Sequence, residues 1–128
     1  HPTEMSVTIE SLRLRYPYQR IIVVFAPHTV SRTKALFDQF AEVLSSVDIV
    51  FVRDVYASAR EDGDRQSCRL LAESLARQAG AQHIADENEL CQTVLSMLKP
   101  NDVCITMGAG NNKQLFHLLA SKIRSGLR

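Results

Sequence analysis

The chain has no C-x-x-C pair; its three cysteines, Cys68, Cys91 and Cys104, stand far apart. That spacing argues against a zinc site and against dithiol redox chemistry. Free thiols fit a reducing cytosol, so a cytoplasmic location is expected. Cys104 falls inside an apolar run and is expected as a small core residue. Long hydrophobic runs are missing too. None approaches the roughly 18–20 residues that span a membrane, and no signal-peptide pattern occurs. A net charge of +1 gives no general excess of cations for nucleic acid. The phosphate-binding pattern G-x-x-x-x-G-K-[ST] does not occur, nor does G-x-G-x-x-G at the first strand-to-helix turn. No Ser or Cys sits in an elbow motif, and no His–carboxylate arrangement is evident by spacing, so nucleophilic catalysis finds little support. A phospho-acceptor receiver domain would need an acidic pair after its first strand. Ala26-Pro27-His28 stands there instead.

What is present is a regular alternation. The 128 residues fit one domain, 1–128, with 45% hydrophobic and 23% charged residues, enough to bury a core. Pro2, Thr3 and Glu4 read as a helix start, Met5, Ile9 and Leu12 recur at helical spacing, and Pro17 ends the helix. Ile21 to Phe25 is a continuous β-branched apolar run, the pattern of a strand buried on both faces. Ser31 or Thr33 is expected to cap the next helix, whose face is Leu36, Phe40, Val43 and Leu44. Ile49 to Val55 reads as a second strand and 57–66 as a polar loop. Leu71, Leu75 and Ala79 mark a helix stopped by Gly80. Gln82 to Ala85 is a short strand, Leu90, Val94 and Leu98 a helix, Asp102 to Thr106 a strand, and Leu115, Phe116, Leu119 and Ile123 a last helix. The order α-β-α-β-α-β-α-β-α predicts an α/β fold: a Rossmann-like, open, mainly parallel sheet with helices on both faces. The chain opens His1-Pro2 and its first methionine is Met5. It is therefore expected to be a segment of a longer protein.

Two loops follow buried strands and share the carboxyl edge of such a sheet, where ligands bind in open α/β folds. The first, Pro27 to Lys34, brings hydroxyls, His28, Arg32 and Lys34 to a helix start, a place that favours anions. Arg32 in a first turn opposes the helix dipole, so it fits either a nearby anion or a solvated surface. His28 fits a ligand contact or a loop carbonyl equally. The second, Gly108-Ala109-Gly110-Asn111-Asn112-Lys113, serves either turn chemistry or close backbone approach to a ligand, with Lys113 as a point charge. Carboxylates are absent from Ser11 to Lys34 and from Ile105 to Arg128. If those basic stretches meet, they form a local anion-attracting field. Asp54 and Tyr56 close the second strand, Asp54 as part of an active edge or as a cap. His83 and His117 read as structural or surface residues. On these grounds alone, a non-catalytic ligand-binding or signalling module remains an alternative to an enzyme.

Four stretches in order carry a family resemblance: His1-Pro2-Thr3-Glu4, Pro27-His28-Thr29-Val30-Ser31-Arg32-Thr33, Asp54-Val55-Tyr56-Ala57 and Thr106-Met107-Gly108-Ala109-Gly110. Together they resemble the C-terminal domain of the Mur ligases, over essentially the whole chain. Within that family they are most similar to the branch acting on UDP-N-acetylmuramate and L-alanine. The resemblance implies a cytoplasmic, ATP- and Mg2+-dependent ligase of peptidoglycan synthesis. Its substrates are UDP-N-acetylmuramate, L-alanine and ATP, and no nucleic acid or membrane is involved. The C-terminal domain is implied to close over a nucleotide held mainly by a central domain, to help position the amino acid, and to be inactive alone. By resemblance Arg32, His28 and His1 bind substrate, and Ser31, Gly108, Gly110 and Lys113 face the nucleotide. No metal ligand and no catalytic residue is assigned to this chain. Thr29 departs from the family, which has its first loop arginine there, and Val30 replaces an aromatic. A hydroxyl does not reproduce a bidentate guanidinium.

Overall fold

The computed structural model describes residues 1–57, 64–108 and 112–126. At its centre lies β1 (Ile21–Ala26), whose six residues are all buried. Its apolar run is continuous because both faces are covered and both edges are paired. On one side β1 pairs in parallel with β2 (Ile49–Val52), from Ile22↔Ile49 to Phe25↔Val52. On the other it pairs with β4 (Val103–Gly108), from Ile21↔Val103 to Ala26↔Gly108. The short β3 (Gln82–His83) pairs with the outer edge of β2. The strand order is β3-β2-β1-β4, all parallel. The chain thus builds outward from β1 on one side, then returns to place β4 on the other. The order reverses between β1 and β4.

Alternation along β1 divides the core in two. Ile21, Val23 and Phe25 pack with Met5 and Ile9 of α1 (Pro2–Arg15), with Phe40, Ala41 and Leu44 of α3 (Phe37–Ser45), and with Ala72, Leu75 and Ala76 of α4 (Arg65–Ala79). Ile22 and Val24 pack with Leu90 and Val94 of α5 (Glu87–Met97) and with Leu115 and Leu119 of α6 (Asn112–Gly126). Each fully buried aliphatic side chain contributes about 1.5–3 kcal/mol of transfer free energy. Helices therefore cover both faces of an open parallel sheet, the architecture that the alternating pattern predicts. Cys104 is half-buried and packs against the second cluster. Burial, with the Asp102 charge adding, pushes its thiol up to about 11.

The helix expected after β1 is two helices. α2 (Val30–Ala35) stops at Leu36, whose backbone leaves the helical region at φ −114°, and α3 resumes at Phe37. Neither Ser31 nor Thr33 is the cap. Thr29 is the N-cap of α2, its hydroxyl accepting from the Arg32 N–H at 3.2 Å. Thr33 is fully buried, and its hydroxyl donates to the Thr29 carbonyl at 2.7 Å. The strand ending at Val52 is shorter than the one expected to Val55, and the short strand at Gln82 ends at His83 rather than Ala85. Pairing with β1 nevertheless continues past β2: Arg53 N–H donates to the Phe25 carbonyl and Tyr56 N–H to the Pro27 carbonyl, each at 2.8 Å. Of the polar loop expected at 57–66, residues 58–63 lie outside the described residues, and Arg65 and Gln66 already belong to α4, capped by Asp64.

The basic stretch from Arg13 to Lys34 does not act as one field. Arg13 pairs with Asp48 at 2.9 Å, and Asp48 also accepts from the Ile21 N–H at 2.8 Å. Arg20 makes a two-armed contact with Asp102, at 3.0 and 2.6 Å. Both pairs precede the strands and lie at the amino edge of the sheet. β1 then carries the chain across the sheet, so of these arginines Arg32 is delivered to the carboxyl edge.

Candidate functional site

A cleft of about 530 Å3 opens at the carboxyl edge beside the reversal between β1 and β4. Open parallel sheets bind ligands at such a point because the flanking connections diverge there. The N-terminus of α1 supplies His1, Glu4, Met5 and Thr8; the end of β1 and its loop supply Phe25, Ala26, His28 and Arg32. Phe40 and the end of β4, from Ile105 to Gly108, complete the lining. The wall is apolar where Met5, Phe25, Ile105 and Met107 meet, and charged at its rim.

Local chemistry sets each rim group. His1 is the N-cap of α1, its Nδ1 accepting from the Thr3 N–H at 3.2 Å. Glu4 sits in that helix's first turn, where the dipole favours a carboxylate. His28 is exposed and its ring stacks on Tyr56 at 6.1 Å between centroids, because residues 28 and 56 form an isolated parallel bridge. Thr29 has φ +59°, rare for a β-branched residue. Four hydrogen bonds hold it there. Its N–H donates to the Tyr56 carbonyl at 2.9 Å and its hydroxyl caps Arg32 at 3.2 Å. Its carbonyl accepts from Thr33 twice, from the backbone N–H at 3.2 Å and from the hydroxyl at 2.7 Å. Such over-determined strain, of order 1–3 kcal/mol, concentrates at ligand sites. Here it turns the chain so that Arg32 meets the cleft. Gly108, φ +105°, lies opposite Ala26 in the ladder. A Cβ at that position would fall on the Ala26 carbonyl oxygen and 2.9 Å from its carbon, so the two strands close only around glycine.

Residues 1–110 match the family pattern of the Mur ligase, glutamate ligase domain. The chain belongs to that family. A UDP-N-acetylmuramate–L-alanine ligase from Roseiflexus sp. (strain RS-1) is 36% identical over 124 residues, which are 97% of this chain and 26% of that protein. One of the same name from Psychrobacter arcticus is 38% identical over 122 residues, 94% of this chain and 26% of the relative. Among solved structures, the UDP-N-acetylmuramate–alanine ligase of Thermotoga maritima superposes with a TM-score of 0.73 at 20% identity, over 98% of this chain and 25% of that one. A murein peptide ligase from Psychrobacter arcticus gives 0.75 at 13% identity, over 100% and 26%. These two likenesses show the fold. The chain spans about a quarter of the length of the relatives it matches.

In this Mur ligase domain the cleft brings together His1, His28, Arg32 and Gly108, four of the seven positions expected at a site. Ser31 and Lys113 are exposed and do not line it, and Gly110 lies outside the described residues. Asp54 caps neither neighbouring helix: Asp64 caps α4 and Asp86 caps α5. It lies instead in a second, polar cleft, 2.6 Å from His83 Nε2 and 3.8 Å from Arg69 Nε. His83 Nδ1 lies 4.0 Å from a Glu73 oxygen. The Asp54–His83 pair escaped sequence reasoning because 29 residues separate its members. His117 is exposed on α6, edge-on to Phe116. Among the described residues no group of three or more His, Cys, Asp or Glu side chains is placed to hold a metal ion.

Sequence reasoning named Glu4 and Tyr56 without giving either a site role, and it missed one buried network. Arg53, 7% exposed, donates to Asn112 Oδ1 at 2.9 Å and to Glu87 Oε2 at 3.2 Å. The Asn112 amide nitrogen donates in turn to the carbonyls of Met107 at 2.6 Å and Val24 at 3.3 Å. The available signal was alternation: Phe51 faces the second core cluster, so a residue two positions on shares its face.

Proposed function

We propose that this chain is the amino-acid-positioning domain of an ATP-dependent ligase that joins L-alanine to UDP-N-acetylmuramate, the C-terminal part of a longer cytoplasmic enzyme. The observation that carries the reading is the composition of the main cleft. Arg32 offers a guanidinium suited to a carboxylate, and Glu4 shares the cleft as a partner for an ammonium. A zwitterion with a small apolar side chain matches that rim and the wall of Met5, Phe25 and Met107. His1 and His28 add hydrogen-bonding groups at the same rim. The relatives named as L-alanine ligases at 36% and 38% identity support the substrate class.

In the proposed reaction ATP phosphorylates the muramyl carboxylate, and the amine attacks the resulting acyl phosphate carbonyl to form the amide as phosphate leaves. This domain's part is to orient the amine and to keep water from an intermediate that hydrolysis would destroy. The G-x-x-x-x-G-K-[ST] pattern does not occur in the sequence, and the nucleotide is assigned mainly to the rest of the enzyme. Among the described residues lining the cleft Glu4 is the one carboxylate, too few oxygen ligands to hold magnesium, and no step on these residues runs through that ion. The Thr29 hydroxyl accepts the α2 cap bond, and the carboxylate contact is assigned to the guanidinium of Arg32.

The test is phosphate release by the full-length enzyme, dependent on both UDP-N-acetylmuramate and L-alanine. Arg32→Ala is expected to raise the L-alanine KM about ten- to a hundredfold, the range for losing a hydrogen bond to a charged group. Absence of L-alanine-dependent turnover in the wild-type enzyme rejects the reading; an unchanged KM and kcat in the variant rejects the role of Arg32.

A further inference from the structure

Arg53 is a buried charge for which the cleft chemistry above has no use. It lies at the end of β2, beneath the first turns of α5 and α6. A cation there opposes two helix dipoles, and a buried ion pair is a poor source of stability beside an apolar side chain of similar volume. What arginine supplies that an apolar residue does not is direction. The guanidinium only donates, so it requires the oxygen of the Asn112 amide. That leaves the amide nitrogen facing the carbonyls of Met107 and Val24, where a flipped amide would set oxygen against oxygen. Met107 and the adjacent Gly108 form the β4 wall of the main cleft. We propose that Arg53 is a positioning residue for that cleft: by fixing the orientation of the Asn112 amide it holds the end of β4 against β1. The inference rests on the ligase reading for its kinetic consequence but not for its structural one.

The experiment uses the full-length enzyme with 13C-methyl-labelled methionine, the Met107 signal being assigned with Met107→Leu. Three variants separate orientation from stability. Arg53→Met removes the donor. Asn112→Asp keeps an acceptor for Arg53 but turns a carboxylate oxygen on the two carbonyls. Glu87→Gln removes the ion pair and leaves the Asn112 arm intact. Arg53→Met and Asn112→Asp are expected to shift the Met107 methyl resonance and to lower kcat/KM for the amino acid about tenfold, as displaced positioning groups do. Glu87→Gln is expected to lower Tm without moving either readout, and Arg53→Lys, also a pure donor, to recover most of the loss. An unmoved Met107 signal in Asn112→Asp overturns the proposal, and so does a shift in Glu87→Gln as large as that in Asn112→Asp. Asn112→Asp keeps the charge pair, so it decides the matter if Arg53→Met does not fold. If the wild-type enzyme shows no amino-acid-dependent turnover, the ligase reading fails while the methyl signal still decides the role of Arg53.

Discussion

Replacing Gly108 by alanine tests whether the end of β4 is built around a missing side chain. Two costs add. The backbone at φ +105° is a conformation that L side chains rarely adopt, worth about 1–2 kcal/mol. The new Cβ would also overlap the Ala26 carbonyl, with the Ala26 carbon at 2.9 Å and its nitrogen at 3.1 Å. These are backbone atoms of the central strand and cannot turn aside as a flexible side chain would. Overpacking of that kind costs about 1–3 kcal/mol, so Gly108→Ala is expected to lose about 2–5 kcal/mol. Gly80 provides the control. It closes α4 at φ +70°, and a Cβ there would have no neighbour within 4 Å, so Gly80→Ala carries only the backbone term, about 1 kcal/mol. Urea unfolding of both variants, monitored by circular dichroism, reads the difference. At about 4 °C per kcal/mol for a domain of this size, Gly108→Ala should melt about 8–20 °C below the wild type. Equal losses in the two variants would refute the close packing of β4 on β1.

Thr29→Ala loses the hydroxyl cap and keeps a Cβ at φ +59°, whereas Thr29→Gly loses the cap but suits the backbone. Thr29→Gly is therefore expected to be the more stable of the two by roughly 1 kcal/mol in chemical denaturation, and the reverse order would contradict the strain. The Asp102 carboxyl is held below the usual carboxylate range, first by the Arg20 fork and further by the Lys99 N–H, with burial opposing. A depressed carboxylate stabilises the fold above its unfolded pKa, about 3.9, and loses that contribution as pH falls through the lower folded value. Asp102→Asn should flatten the fall in urea midpoint below about pH 4, and an unchanged slope would remove Asp102 from the acid transition.

Much of the fold was legible in the chain. Ile21 to Phe25 is apolar at every position, and only a strand covered on both faces tolerates that. Leu71, Leu75 and Ala79 before Gly80 state a helix and its end in local terms. Prediction failed where long-range pairing outweighed local preference. The residues after Val52 leave β2 early yet stay bonded to the β1 loop, and that pairing, not a cap at Ser31 or Thr33, sets where α2 begins. A threonine at positive φ has no local signature, since the bonds that hold it come from Tyr56 and Thr33.

For the site, residue types in the loop after β1 pointed to Arg32 and His28, because a cation in a first turn and a histidine at a strand end are local anomalies, whereas His1 entered through the family resemblance alone. Which of them share a cleft is a different kind of fact. His1 and Gly108 stand more than a hundred residues apart in the chain, yet line one space because β4 inserts beside β1. The same insertion brings Asn112 to Arg53 and separates Arg20 from Arg32 by the length of a strand. Hydrophobic period and turn residues act over a few positions and are written in the chain; strand order and register act across it, and they select which charges are paired, which are buried and which are left facing the cleft.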